Sequence, residues 1–242
     1  MPTVPDQQDA PPPRPEPADS GAVSARSAAP ARPALLLGPL LLLFAFLTWQ
    51  AAVDTPLRRA DERLGKAVEG SRLPEGAAEF LSDLGSFAVA VPVLLAVAAY
   101  VSWRALRAGL PRWWVPPLAA LVTMAAVPLW VVPVKEAVGR TGPPGMAGDG
   151  YYPSGHTATA AVAYGAAVLL LLPWLHNRYL RRELTIACLL LVTAVSFGLV
   201  RRGYHWPLDV AGSWCLSAAL LLGLATLLRR NGHSADVRVE VP

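Results

Sequence analysis

The chain has 242 residues, of which 54% are hydrophobic and 16% charged, with a net charge of +4. Soluble domains carry about 25% charged residues, so this chain has too little water-facing surface for a soluble protein of its length. No Lys/Arg-rich block with interleaved aromatics occurs, which argues against nucleic-acid binding. Residues 1–33 are rich in Pro, Ala, Asp and Ser and show no apolar periodicity. Such a segment cannot bury a core and is expected to be a disordered tail. A signal peptide is not expected, because the first apolar block starts too late and runs too long.

A membrane-spanning helix needs about 20 mostly apolar residues. Six stretches qualify, at about 34–53, 80–103, 114–134, 157–175, 184–200 and 207–228. The expected fold class is therefore an all-α integral membrane protein, a bundle of six transmembrane helices over 34–228 with a short tail over 229–242. The third stretch contains Pro116, Pro117, Pro128 and Pro133, and kinks are expected there. Residues 54–79 are mixed in charge and partly helical in period, either an amphipathic helix on the membrane surface or a solvated connector. Cys188 and Cys215 lie in apolar blocks without CxxC spacing and read as small packed hydrophobes.

Orientation follows from the Lys/Arg bias of the loops. With six crossings both termini share a side. That side carries 12 basic against seven acidic residues, and the other nine against ten. The termini are therefore expected to be cytoplasmic, and the loops after the first, third and fifth spans to face outward.

Three polar segments fall at outward ends of spans. They are Lys135 to Pro143, Pro153 to His156, and Arg201 to Asp209. Topology thus gathers His156, His205, Asp209, Lys135, Arg140, Arg201 and Arg202 at one face. Ser154 stands where a hydroxyl caps a helix, and a helix N-terminus attracts anions. Gly155 lets the backbone approach such an anion. Lys135 and the arginines suit phosphate oxygens. A histidine can attack or transfer a proton near neutral pH. Asp209 follows His205 by one helical turn and can hold its ring N–H, as in a catalytic triad. Ionisable residues at membrane depth are functional candidates by default.

These segments resemble the type 2 phosphatidic acid phosphatase (PAP2) family, which shares its site with vanadium haloperoxidases. The family pattern is K-x6-R-P, then P-S-G-H, then S-R-x5-H-x3-D. Pro153 to His156 match the second part, His205 and Asp209 the end of the third, and Lys135 and Pro143 the ends of the first. The resemblance implies that His205 is the nucleophile and forms a phosphohistidine, that Asp209 orients it, and that His156 protonates the leaving oxygen and then activates water. It implies that Lys135, Ser154 and the Gly155 N–H hold the phosphate, with no metal or other cofactor.

The chain departs from the pattern twice. The first family arginine falls at Gly142, and Arg140 lies two residues earlier. The second falls at Leu199, with Arg201 and Arg202 nearby. At about 100° per residue, Arg202 lies about 60° and Arg201 about 160° from the face of Leu199, which makes Arg202 the better stand-in. By resemblance the substrate is a lipid phosphate or a (poly)prenyl diphosphate such as undecaprenyl diphosphate. The competing readings are a weak or inactive lipid-phosphate-binding membrane protein and a vanadium-dependent haloperoxidase.

Overall fold

The structure, a computed structural model, describes the backbone of residues 31–239 and the side chains of residues 35–230. The tail expected over 1–33 lies, up to residue 30, outside the described residues. Helix α1 spans Ala31–Ala52, α2 Pro56–Glu69, α3 Glu75–Asp83 and α4 Phe87–Arg107. Then follow α5 over Val115–Val138, α6 over Gly155–Leu171 with a 3-10 turn at Leu172–Trp174, α7 over Arg178–Arg201 and α8 over Pro207–Val239. No strand occurs among the described residues.

Six of these helices are long and apolar enough to cross a bilayer: α1, α4, α5, α6 with its 3-10 turn, α7, and α8 as far as Arg230. The chain is an all-helical, multi-pass membrane protein. Helix α6 is the central post, packed on α4, α5, α7 and α8, and 61% of its span is buried against 11% for α1. Its sequence explains this position. Ala158, Ala160, Ala161, Ala163, Ala166 and Ala167 are all buried, and small side chains let neighbouring backbones come close where lipid supplies no hydrophobic drive between helices. The large side chains exposed on α1, such as Leu35, Leu42 and Trp49, meet lipid rather than water at that depth.

Helix ends set where the polar segments sit. Helix α5 stays helical through Pro128 and Pro133 and ends at Gly139, whose φ of 54° is left-handed and whose N–H bonds the Lys135 carbonyl at 2.9 Å. The helix therefore runs four residues past the end expected at 134 and carries Lys135 on its last turn. Helix α8 likewise continues as helix through residues expected to form a tail.

The second span differs from expectation. The sequence places its start near residue 80, but the helix breaks after Asp83 and restarts at Phe87. Turn bonds from Gly85 N–H to the Ser82 carbonyl and from Ser86 N–H to the Asp83 carbonyl close the break. Packing demands it. A Cβ on Gly85 would meet Val195 Cγ1 at 2.6 Å and the His156 carbonyl oxygen at 3.1 Å, so this turn lies directly on the start of α6. Tyr164 of α6 pins it with a 2.6 Å bond to the Leu84 carbonyl.

Residues 54–79 are more than a surface helix or a connector. Helix α2 starts at an N-cap, where Thr55 accepts from the Arg58 N–H, with Pro56 in its first turn. Its polar length is mostly exposed, yet Asp61 and Gly65, one turn apart, are buried. A Cβ on Gly65 would meet the Trp206 ring at 2.7 Å. Helix α3 packs along α7, close enough that a Cβ on Gly198 would meet the Ala78 carbonyl oxygen at 2.8 Å.

Candidate active site

The ends of the spans that share one side bring the polar segments together. After α5, the chain turns back on itself, with the N–H groups of Gly150 and Tyr151 bonded to the Arg140 carbonyl at 2.9 and 3.0 Å. A cis bond joins Tyr152 to Pro153. Ser154 is fully buried, and its hydroxyl accepts from the Thr157 N–H at 3.3 Å as the cap of α6. Its backbone N–H bonds the Asp209 carbonyl at 3.1 Å. Ser213 adds a 2.8 Å bond to the Ser154 carbonyl. The start of α6 is thereby stitched to the start of α8. Gly155 follows with open space where a side chain would be.

His205 is buried beneath this face, and its Nδ1 lies 3.3 Å from Asp209 Oδ2. Asp209 is completely buried. Its Oδ2 also accepts the Trp206 backbone N–H at 3.0 Å, and its Oδ1 accepts from Arg140 Nη1 at 2.7 Å. An ionised carboxylate only accepts, so the proton of a neutral His205 rests on Nδ1 and Nε2 keeps its lone pair. The Tyr151 ring stands edge-on to the His205 ring at 5.8 Å. His156, in the first turn of α6, is exposed, within electrostatic reach of His205, Lys135 and Asp83. Lys135 is half-buried, donates to the Gly150 carbonyl at 2.7 Å, and interacts electrostatically with Asp209. His156, His205, Asp209, Lys135, Ser154 and Gly155 thus form one cluster.

The arginines sit elsewhere. Arg140 is 1% exposed and lies between two carboxylates, with Nη2 2.6 Å from Asp61 Oδ2 and Nη1 on Asp209. Its Nε–H has no acceptor. Arg202 bonds Glu79 at 2.6 Å, reaches Glu75 at 3.4 Å and lies beside Tyr204. Arg201 donates to the Leu73 carbonyl at 3.1 Å. Both tie α2–α3 to the end of α7 rather than joining the histidines. At the positions where the family carries arginine, Leu199 is core, and a Cβ on Gly142 would meet the Tyr151 ring at 2.6 Å.

Sequence reasoning missed Asp61, whose Oδ1 accepts the Leu208 N–H at 2.7 Å. Burial pushes its carboxyl above the ordinary range, while Arg140 and the Leu208 N–H pull it back down. Its one signal in the sequence is Gly65, a residue without a side chain placed one turn after it. Tyr152 was missed as well. Its hydroxyl meets Thr48 at 3.1 Å, its ring stacks on Phe44 at 6.3 Å, and burial pushes its phenol up to about 12. It stays neutral and braces α1 against the site.

The family model described as the PAP2 superfamily matches residues 86–233, more than half of the chain. No curated protein matches. Among solved structures, one titled as the first transmembrane PAP2 type phosphatidylglycerolphosphate phosphatase from Bacillus subtilis superposes with a TM-score of 0.69 at 22% identity. The match covers 80% of this chain and 96% of that one. At that identity the likeness speaks for the fold.

Proposed function

The chain belongs to the PAP2 superfamily, and from that premise we propose that it is a membrane lipid phosphatase that works through a phosphohistidine on His205. The observation that carries this reading is the buried His205–Asp209 pair, 3.3 Å apart, beside the capped start of α6 and His156. Asp209 holds the Nδ1 proton and steadies the positive imidazole that attack creates. The Nε2 lone pair attacks phosphorus, and the bond from phosphorus to the lipid oxygen breaks. His156 gives that oxygen a proton, then takes one from the water that cleaves the phosphohistidine.

The Lys135 ammonium and the Gly155 N–H, at the positive end of α6, hold the phosphate oxygens. Ser154 acts through the cap that presents those N–H groups. Arg202 and Arg201 are given no phosphate contact here, because their guanidinium groups are spent on Glu79, Glu75 and the Leu73 carbonyl.

The substrate is a lipid phosphate or a prenyl diphosphate, and the phosphatidylglycerolphosphate phosphatase that shares the fold adds phosphatidylglycerol phosphate to the test panel. The Lys/Arg bias supports a site on the extracytoplasmic face with both termini cytoplasmic. Purified protein in detergent is expected to release phosphate from phosphatidic acid, phosphatidylglycerol phosphate or farnesyl diphosphate in the presence of chelator, with inhibition by orthovanadate. His205→Ala is expected to abolish release. Full activity of that variant rules out the mechanism.

A further inference from the structure

Arg140 stands two residues from the position where a phosphate-binding arginine is expected, and it does something else. Both of its terminal nitrogens are committed, at 2.6 and 2.7 Å, and its side chain is 0% exposed. The Nε–H that lacks an acceptor is buried as well, so no donor of this side chain is open to a substrate oxygen. Its partner Asp61 comes from α2, outside the six spans, and is itself 5% exposed. Ions buried this deeply persist only when paired and hydrogen-bonded.

Asp61 grips the catalytic turn at two points. One oxygen takes the N–H of Leu208, the residue before Asp209, and the other takes Arg140, which in turn holds Asp209 Oδ1. The opposite oxygen of Asp209 is then the one left for His205. Charge matters as much as place. With both carboxylates ionised, Asp61, Arg140 and Asp209 together carry one net negative charge. Without Asp61 the guanidinium would cancel Asp209, and the cluster facing the imidazole would be neutral.

We propose that Asp61 is a positioning residue for His205, acting through Arg140 and the Leu208 N–H. This rests on the phosphatase reading with His205 as nucleophile. Asp61 keeps Asp209 aimed and keeps its charge available to the imidazolium that attack creates. The groups facing His205 are Asp209 and the Tyr151 ring, with His156 within electrostatic reach.

The test compares wild type, Asp61→Asn, Arg140→Met and the double variant in detergent, with phosphatidic acid and farnesyl diphosphate as probes. Asp61→Asn keeps the shape and an acceptor for Leu208 but removes the charge. It is expected to lower kcat by roughly 10- to 100-fold with little change in KM, since about an ångström of misplacement costs on the order of 100-fold. The acid limb of its kcat profile, set by loss of the neutral imidazole, moves to lower pH because the imidazolium has lost support.

In the Arg140→Met background, adding Asp61→Asn is expected to cost little more, because the chain of contacts is already cut. A change confined to melting temperature, with kcat and the pH profile unmoved, overturns the inference. So does a rise in KM and in the inhibition constant of inorganic phosphate for Arg140→Met at unchanged kcat, which would make Arg140 a phosphate ligand. Phosphate release by wild type and Asp61→Asn at the same kcat overturns the inference and leaves the phosphatase reading standing. No release by wild type, from these probes or phosphatidylglycerol phosphate, overturns the reading itself.

Discussion

Ser154 shows how one side chain can be read two ways until its surroundings are known. In the sequence it precedes a histidine and an apolar helix, and both a cap and a phosphate ligand fit. In the structure its hydroxyl is fully buried and accepts from the Thr157 N–H, so its weight falls on holding α6. Ser154→Ala is expected to cost about 1 kcal/mol of stability, the usual loss for a cap, read as a lower melting temperature with KM changed less than twofold. A tenfold rise in KM at unchanged stability would return the hydroxyl to the phosphate. His205 and Asp209 were legible because their partnership is local, four residues along the chain. Arg140 was not, because its two carboxylates lie 79 and 69 residues away. Charge alone said that it needed an anion; only the fold decides that the anions are Asp61 and Asp209 rather than a substrate.

At the scale of elements, the two short helices before α4 carry most of what the sequence hid. Hydropathy finds spans because every backbone group in lipid must be satisfied within a helix, and all six stretches became helices. It cannot find the break at Leu84–Ser86, since Phe80, Leu81 and Leu84 are apolar whether they face lipid or pack on α7. The polar face of α3 is tied to the turn before α8. Glu79 accepts from Tyr204 at 2.7 Å and from Arg202 at 2.6 Å. The Tyr204 hydroxyl first, and Arg202 after it, hold the Glu79 carboxyl below its usual range. A carboxylate depressed in the folded state stabilises above its unfolded value, and that contribution is lost as pH falls through the folded value. The melting temperature of wild type should therefore decline as pH drops below the ordinary glutamate range. Glu79→Gln should melt lower at neutral pH and show a shallower acid decline. Matching slopes for the two proteins would mean that the pair is screened to nothing, as exposed pairs often are.

For the whole molecule, the consequence of six crossings is that every element of the candidate site lies on one side. The ends of α5 and α7 and the starts of α6 and α8 all meet there. A substrate lipid therefore has to present its phosphate from a single leaflet, and the side matters to what the protein can do. The basic residues supply an expectation for it. The loop between α4 and α5 and that between α6 and α7 carry Arg107, Arg112, Arg178, Arg181 and Arg182 within a few residues of span ends, with Glu183 the nearby acid. The opposite loops balance their charges, and Arg140, Arg201 and Arg202 there are spent on fixed partners. Short arginine-rich loops resist translocation, so the site should face away from the cytoplasm. Single cysteines make this measurable. Cys188 and Cys215 sit within spans, so replacing both with Ala leaves a background free of thiols. Asp149→Cys, in the exposed loop between α5 and α6, should react with a membrane-impermeant maleimide on intact cells. Arg181→Cys, on exposed α7 surface at the other end, should react only after permeabilisation. The reverse pattern would put the histidines in the cytoplasm, and the lipid phosphates they meet would then be those of the inner leaflet.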